Sequence, residues 1–220
     1  MDPNFWHQKW EKNEIGFHMG EANPLLVNSF HRLSPAQGER IFLPLCGKTL
    51  DIAWLLDQGY QVVGIELNPL AIRQLFAELG AEPVITELDE LTHYGAENLD
   101  IYGGDFFHLS RAMLGPVDVI YDRAALVALP TEMRKCYTRH LMAITECAPQ
   151  LLITYEYNQN QLDGPPFSVS EAEVRGLYGE CYELNLLDTI EVPGGFKGKY
   201  PATENIWLLK KRCHPERENQ

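Results

Sequence analysis

The sequence lacks the patterns that mark disulfide frameworks, metal centres and membrane segments. Its five cysteines are odd in number and include no C-x-x-C pair, so we expect reduced thiols. The seven histidines show no H-E-x-x-H or similar ligand spacing, which predicts that no metal is bound. No apolar run approaches the roughly 20 residues needed to cross a bilayer, and the N-terminus has no basic and apolar signal region. We therefore expect a cytoplasmic protein without a membrane segment.

Basic residues are also scarce, with 18 Lys and Arg against 31 Asp and Glu and a formal net charge of -13. Binding to nucleic acid or to an anionic membrane surface depends on clustered Lys and Arg, so neither is an expected partner. The 220 residues are 45% hydrophobic, which is enough for one sizeable core. We predict a single domain over residues 1–212, with residues 1–35 as an N-terminal lid or cap and 213–220 as a disordered tail. We expect a monomer because no long apolar surface helix stands out.

Apolar runs typical of buried strands alternate with segments of helical periodicity. The predicted strands lie at 40–46, 61–66, 98–105, 116–122 and 150–157. The predicted helices between them lie at 48–58, 69–80 and 131–147. Strands that alternate with helices and are almost continuously apolar are typical of a parallel sheet covered on both faces. The pattern therefore predicts a doubly wound α/β fold.

The last part of the chain predicts a different end to the sheet. Ser170 and Glu173 form a capping-box pattern that opens a short helix. Two further strands flank a glycine-rich turn at 194–198, without room for a crossover helix between them. A hairpin there makes the last strand antiparallel, which gives a mostly parallel sheet of seven strands.

Ligands of open α/β sheets bind beyond the carboxyl ends of the strands, so the residues that follow each strand are candidates. Glu66 ends the second strand, where a carboxylate can accept hydrogen bonds from both hydroxyls of an adenosine ribose; a solvated helix-cap acid is the alternative. The loop at 45–48 has one glycine where a dinucleotide fingerprint has three. Such a loop can still bring backbone groups to a smaller amino-acid moiety. Cys46 in this loop is interpreted as a buried small side chain rather than a nucleophile.

Two later strand ends carry less specific signals. Asp105 and Phe106 could hydrogen-bond and stack an adenine, or they could be a strand-end acid followed by a core phenylalanine. Arg123 could clamp a carboxylate or an anionic substrate, or it could form an ordinary ion pair with Asp122 or another acid. Spacing alone leaves both questions open.

Several motifs together resemble the thiopurine S-methyltransferase family, a branch of the class I S-adenosylmethionine-dependent methyltransferases. They are FLPLCGKTLDIAWLLDQGYQVVGIELNPLAI from residue 42, W-x-x-K-W from residue 6 with GFH after it, GGDFF at 103–107 and YDRAALVALP at 121–130. In this family PLCGK replaces the glycine-rich motif of most class I enzymes, and this sequence has the same replacement. The resemblance covers nearly the whole chain. It implies a Rossmann-like methyltransferase domain with S-adenosylmethionine as cofactor and S-adenosylhomocysteine as product.

The resemblance also implies roles for individual residues. The implied contacts with S-adenosylmethionine are Trp10, Leu45, Glu66 and Arg123, with Asp105 and Phe106 beside its adenine. The residues implied to face the methyl acceptor are Trp6, Phe17 and His18. The acceptors of the family are aromatic or heterocyclic thiols, and some bacterial-type members are associated with methylation of tellurium or selenium species.

The aromatic N-terminus gains a role from this resemblance. Trp6 and Trp10 are four residues apart and share one face of a helix, with Phe17 and His18 following. Their spacing alone favours an amphipathic helix packed on the sheet, and the family resemblance instead favours a lid folded over the cofactor. The segment at 163–170 is either a further wall of the acceptor pocket or a surface turn.

Methyl transfer from a sulfonium is an in-line displacement, so alignment of the reacting atoms matters more than acid–base chemistry. Arg123 is placed to favour or orient an anionic thiolate acceptor, and Asp105 or a water could accept the thiol proton. A nicotinamide-dependent oxidoreductase and a non-catalytic nucleoside-binding protein are the alternative functions. The missing glycines count against the oxidoreductase.

Overall fold

A computed structural model describes residues 3–212, and the predicted tail at 213–220 lies outside the described residues. The strands are β1 Arg40–Leu43, β2 Gln61–Glu66, β3 Val84–Leu88, β4 Leu91–Ala96, β5 Leu99–Gly103, β6 Val119–Arg123, β7 Gln150–Tyr157, β8 Tyr182–Glu191 and β9 Ala202–Lys211. The α-helices are α1 Pro3–Glu11, α2 Pro24–Ser29, α3 Asp51–Asp57, α4 Pro69–Leu79, α5 Arg111–Leu114, α6 Thr131–Thr145 and α7 Glu171–Tyr178. Short 3-10 helices lie at Phe30–Leu33, Phe106–His108, Leu126–Ala128 and Gln159–Gln161.

The nine strands form one sheet in the order β3-β4-β5-β2-β1-β6-β7-β9-β8. The five central strands, from β5 to β7, are parallel. The two strands at each end of the sheet pair antiparallel with their neighbours. The predicted α/β class and the antiparallel last strand are confirmed.

The sheet corrects the predicted number of strands from seven to nine. The two additional strands form the hairpin β3–β4 at one end of the sheet. Val84 and Ile85 of β3, the outermost strand at one end of the sheet, are 74% and 57% exposed. An edge strand needs no continuous apolar run, so the pattern that identified the central strands does not detect it.

Apolar clusters lie on both faces of the sheet. Phe42 of β1 joins a cluster that includes residues of α6 and α7, while its neighbour Ile41 joins a cluster that includes residues of α2, α3 and α4. Successive residues of a strand point to opposite faces, so the central strands must be apolar at nearly every position. This explains why continuous apolar runs marked them in the sequence.

Local sequence fixes the helix that starts beside the candidate site. Asn68 accepts a hydrogen bond from the Leu70 N–H as N-cap of α4, Pro69 is the first helical residue, and Gly80 ends the helix in a left-handed conformation. The helix therefore begins directly after the carboxyl end of β2. In the part of the chain that the structure describes, no helix is long and apolar enough to cross a membrane.

Candidate functional site

The carboxyl ends of the parallel strands meet along one edge of the sheet. The strand order reverses at β1, which has β2 on one side and β6 on the other. Such a reversal opens a crevice beyond the strand ends, where α/β proteins bind their ligands. The segments that leave the sheet at this edge are 44–50, 67–68, 104–110 and 124–130.

Glu66 lies at the end of β2 with its carboxylate held by the backbone. One oxygen accepts the Gly47 N–H at 2.8 Å and the other accepts the Asn68 N–H at 2.7 Å. A carboxylate has about four lone-pair positions, so each oxygen can accept one further hydrogen bond. Burial raises the pKa of Glu66 to about 6, although the Asn68 and Gly47 N–H groups lower it. At neutral pH Glu66 is therefore an ionised acceptor suited to two neighbouring hydroxyls.

The loop after β1 favours glycine at position 47. Leu45 and Gly47 have positive φ values of 47° and 56°. A Cβ added to Gly47 would lie 3.2 Å from the ring of Trp10, which is 4% exposed. Cys46 is buried and its N–H donates to the Ile65 carbonyl at 3.0 Å. Burial raises the pKa of the Cys46 thiol well above its ordinary value, which favours the interpretation of a packed side chain over that of a nucleophile.

The aromatic side chains of the N-terminus pack together over this edge. The Phe17 ring lies edge-on to both Trp6 and Trp10, with centroid distances of 5.9 and 5.7 Å. The His7 ring lies 3.2 Å from the Asn68 side-chain amide. The N-terminal segment therefore contacts the loops after β1 and β2, and its aromatic residues both pack on the protein and border the crevice.

His18 lies in the same segment and is half-buried. Burial and the neighbouring Lys48 lower the pKa of His18, as does Arg123, while Glu78 raises it. Lys48 itself pairs with Glu78 at 2.6 Å. The structure thus brings His18 and Arg123 to the same region of the edge.

Arg123, at the end of β6, faces the N-terminal segment. Its Nη1 donates to the Phe17 carbonyl at 2.8 Å. Asp122 points to the opposite face, where it is fully buried and accepts hydrogen bonds from the Tyr137 hydroxyl at 2.7 Å and the Leu126 N–H at 3.1 Å. Among residues 3–212, Arg123 forms no ion pair, so the alternative of a pair with Asp122 is excluded.

Asp105 and Phe106 follow β5 and have different surroundings. Asp105 is half-buried and accepts the Phe107 N–H at 3.0 Å, which caps a short 3-10 helix. The Phe106 ring is 3% exposed and packs against Tyr137 and His140 at centroid distances of 4.9 and 5.0 Å. The Phe106 side chain is thus a core residue, and contact with an adenine could come only from its backbone or from Asp105.

The edge also contains residues that sequence reasoning did not select. Tyr155 and Tyr157, near the end of β7, contact Phe196 of the β8–β9 connection, and both centroid distances are 5.6 Å. Glu204 of β9 is paired with Tyr155 across the two strands. The run TYEY at a strand end was the available signal, but only the pairing of β7 with β9 brings Glu204 and Phe196 to it.

The segment at 163–170 lies beside the same aromatic residues. The Tyr157 hydroxyl donates to the Pro166 carbonyl at 2.6 Å, and the Phe167 N–H donates to the Val127 carbonyl at 2.6 Å. These contacts attach the segment to the 3-10 helix that follows β6 and to the end of β7. Within residues 3–212 no group of three or more His, Cys, Asp or Glu side chains is arranged to hold a metal ion.

Comparison with solved structures identifies the fold. A methyltransferase of Burkholderia thailandensis, crystallised with 1,6-didemethyltoxoflavin and S-adenosylhomocysteine, matches with a TM-score of 0.64 and 14% identity, over 95% of this chain and 87% of that one. Magnesium protoporphyrin IX methyltransferase from Synechocystis, with bound S-adenosylhomocysteine, matches with a TM-score of 0.60 and 14% identity, over 95% of this chain and 100% of the other. The fold is that of S-adenosylmethionine-dependent methyltransferases.

Sequence comparison identifies the family. The family model described as Thiopurine S-methyltransferase (TPMT) matches residues 1–211. Relatives named thiopurine S-methyltransferase are 53% identical in Xanthobacter autotrophicus, over 96% of this chain and 100% of the relative, and 48% identical in Teredinibacter turnerae, over 97% and 100%. The chain belongs to the thiopurine S-methyltransferase family. It is an enzyme that uses S-adenosylmethionine as methyl donor. The alternatives of a nicotinamide-dependent oxidoreductase and of a non-catalytic nucleoside-binding protein are therefore set aside.

Proposed function

We propose that this enzyme methylates the sulfur of aromatic or heterocyclic thiols and also accepts soft selenium or tellurium species. The observation that carries the proposal is the position of Arg123, half-buried beside Phe17 and without an ion pair among the described residues. A guanidinium has five N–H donors, so donors remain to bind an anion. Arginine beside aromatic rings suits a planar anionic acceptor. The names of the relatives support the same acceptor class.

We assign the cofactor site to residues along the carboxyl edge. They are Trp10, Leu45, Glu66, Asp105, Phe106 and Arg123. The residues present fit the cofactor, because the Glu66 carboxylate keeps one acceptor position on each oxygen for the ribose hydroxyls. S-adenosylmethionine supplies an electrophilic methyl group on a positively charged sulfur. Since the Phe106 ring is packed in the core, its contribution is assigned to the backbone.

We assign the acceptor site to Phe17, Trp6 and His18, with Arg123 at its base. Arg123 stabilises the anionic form of the acceptor relative to the neutral thiol, which increases the fraction of the reactive thiolate. The aromatic rings exclude water and hold a planar acceptor by stacking. His18, whose pKa is lowered by burial, is mostly neutral at pH 7 and adds no competing charge.

We further propose that residues 1–35 act as a lid over both sites. The contacts of Trp10 with Gly47 and of Arg123 with the Phe17 carbonyl support this role, because a ligand bound at the edge would lie beneath them.

The proposed small-molecule partners need no second subunit, and the cysteine pattern favours a reducing compartment. We therefore propose a cytoplasmic monomer, which light scattering of the purified protein would test for its oligomeric state.

Turnover assays test the proposed acceptor class. The protein would be incubated with S-adenosylmethionine and thiophenol, 6-mercaptopurine, selenide or telluride, and the methylated product measured by mass spectrometry. We expect methyl thioethers from both thiols. Transfer to none of the sulfur compounds, by protein that still binds S-adenosylhomocysteine, would contradict the proposal.

A further inference from the structure

Tyr155 and Glu204 form a pair at the carboxyl edge that the proposed function leaves unassigned. The two residues lie directly opposite each other in the antiparallel pairing of β7 with β9. Side chains directly opposite each other in an antiparallel pair lie on the same face of the sheet with Cβ atoms about 4.5–5.5 Å apart, so the Glu204 carboxylate can reach the Tyr155 hydroxyl. Both side chains are half-buried. The neighbouring Glu156 is exposed and instead accepts a hydrogen bond from the Asn205 amide at 3.1 Å.

The pair is adjacent to the proposed acceptor site. Arg123 is paired with Ile153, two residues before Tyr155 on β7, so Arg123 and Tyr155 lie on the same face of neighbouring strands. The Tyr155 ring also contacts Phe196. Charged and titratable groups surround the pair on three strands. They are Arg123 and Tyr121 on β6, Asp51, which accepts a hydrogen bond from the Tyr121 hydroxyl, Tyr157 on β7, and Glu191 on β8, next to the residue opposite Glu204. Arg123 is the cation of this group, so an anionic acceptor held by it would lie beside Tyr155.

Tyr155 cannot act as a base on its own. Burial, together with the Glu204 charge, raises the pKa of Tyr155 above its ordinary value, and the opposing effect of Arg123 is smaller. The phenol therefore stays protonated at neutral pH. A protonated phenol can still pass a proton on, if it donates its own proton to a carboxylate while it accepts another.

Methyl transfer to a neutral thiol requires a proton acceptor, because the incoming thiol must lose its proton although the departing thioether needs none. We propose that Tyr155 receives the proton of the acceptor thiol and relays its own hydroxyl proton to Glu204. The inference rests on the proposed thiol acceptor. Tyr155 is then the group that touches the acceptor, and Glu204 acts through it as a positioning residue and final proton acceptor.

The atoms and charges of the step balance. The S–H bond of the thiol breaks as its proton moves to the Tyr155 oxygen, and the Tyr155 proton moves to the Glu204 carboxylate. The sulfur electron pair forms the new bond to the methyl carbon, and the old carbon–sulfur bond breaks with its electron pair on the departing sulfur. A positively charged sulfonium and a carboxylate thus become a neutral thioether and a carboxylic acid, which releases its proton to solvent.

The test compares Glu204→Gln with its neighbour Glu156→Gln and uses two acceptors. The first is 6-mercaptopurine, assayed below its own pKa, and the second is a nitro-substituted thiophenol that is ionised throughout. The amide oxygen that Glu204→Gln introduces can still accept from Tyr155, so the fold should persist, and melting curves check this. The affinity for S-adenosylhomocysteine serves as a second control.

We expect Glu204→Gln to lose at least about tenfold in kcat with mercaptopurine and less than about twofold with the ionised thiol. The loss should disappear as the pH rises above the mercaptopurine pKa. Tyr155→Phe should behave in the same way, and Glu156→Gln should match the unmodified protein. A structural role for Glu204 predicts equal losses with both acceptors at every pH, and that result would overturn the relay.

A measurement without turnover examines the pair itself. Protein labelled with fluorotyrosine gives a ¹⁹F signal for each tyrosine. The signal that is missing from the spectrum of Tyr155→Phe is assigned to Tyr155. This signal should titrate at lower pH in Glu204→Gln than in Glu156→Gln, because the charge that raises the Tyr155 pKa is removed. An unchanged titration would overturn the relay even if thiols are methylated. Failure of the unmodified protein to methylate either thiol would instead overturn the proposed acceptor class, and the relay with it.

Discussion

Glu66 offers the sharpest test of the cofactor site. Replacement by Ala removes the two oxygens that hold the N–H groups of Gly47 and Asn68, and with them the proposed acceptors of both ribose hydroxyls. Binding of S-adenosylmethionine and stability should therefore change together, but by different amounts. Their separate measurement distinguishes a ligand-binding carboxylate from a loop anchor.

The expected magnitudes follow from the contacts of Glu66. Loss of the ribose hydrogen bonds should weaken cofactor binding by about 1 to 3 kcal/mol, or about 5- to 150-fold. Each backbone N–H left without an acceptor costs about 1 to 3 kcal/mol of stability. This cost is partly offset, because the ionised Glu66, even with its N–H donors, disfavours the fold by about 2 kcal/mol, as its pKa of about 6 shows. The net loss of stability should be a few kcal/mol at most.

Tryptophan fluorescence is a suitable assay because Trp10 lies against Gly47 in the same loop region. The variant would be titrated with S-adenosylhomocysteine, and its unfolding followed in urea. Glu78→Ala provides a matched control, since Glu78 pairs with Lys48 near this loop at 2.6 Å but is not assigned to the cofactor. We expect its affinity to stay within about twofold of the unmodified protein. A folded Glu66→Ala variant with unchanged affinity would refute the ribose-binding role.

Three further predictions concern the same edge. Burial raises the pKa of Asp122 from 3.8 to about 6 and that of Glu66 from 4.5 to about 6. The folded state therefore binds more protons than the unfolded state between about pH 4 and 6. The free energy of unfolding should therefore fall as the pH rises through this window, by about 2 to 3 kcal/mol for each group. When it is measured by urea unfolding, Asp122→Asn should depend less on pH than the unmodified protein. A free energy of unfolding that rises with pH in both proteins would contradict this. Arg123→Met should reduce methyl transfer at least about tenfold while the melting temperature changes little, and a variant that simply unfolds would indicate a structural role instead. Gly47→Ala should lower the free energy of unfolding, measured in urea, by about 1 to 2 kcal/mol. The φ of 56° at position 47 is unfavourable for alanine, and the alanine Cβ would lie 3.2 Å from the Trp10 ring. An unchanged free energy of unfolding would show that the loop relaxes.

Sequence reasoning located the central elements closely. The strand predicted at 61–66 is β2, that at 150–157 is β7, and the helix predicted at 69–80 is α4 with one residue fewer. These elements carry strong local signals: continuous apolar runs in strands buried on both faces, and an N-cap, proline and glycine at the helix ends. Because Glu66 lies where such a strand ends, its place at the ligand edge was also predictable.

The sequence could have helped to decide whether Arg123 binds an anion or pairs with Asp122, but not whether the Phe106 ring contacts an adenine or packs in the core. Asp122 and Arg123 are adjacent on one strand, and adjacent strand residues point to opposite faces. This alternation alone disfavours an ion pair between them, and the structure has Asp122 bonded to Tyr137 instead. The role of the Phe106 ring was not predictable in the same way, because spacing does not show whether a ring after a strand packs inward.

The sequence by itself determined the parallel core, the carboxylate at the end of β2, and the family to which the chain belongs, since each depends on local pattern or on motifs read directly. Only the tertiary structure decided the edge hairpin β3–β4, the attachment of the N-terminus through Arg123 to the Phe17 carbonyl, and the pairing of Tyr155 with Glu204. The last two of these features join residues far apart in the chain, and the hairpin lacks the apolar run that marks a strand. Their contacts depend on strand register and on packing across the whole sheet, which no local pattern specifies.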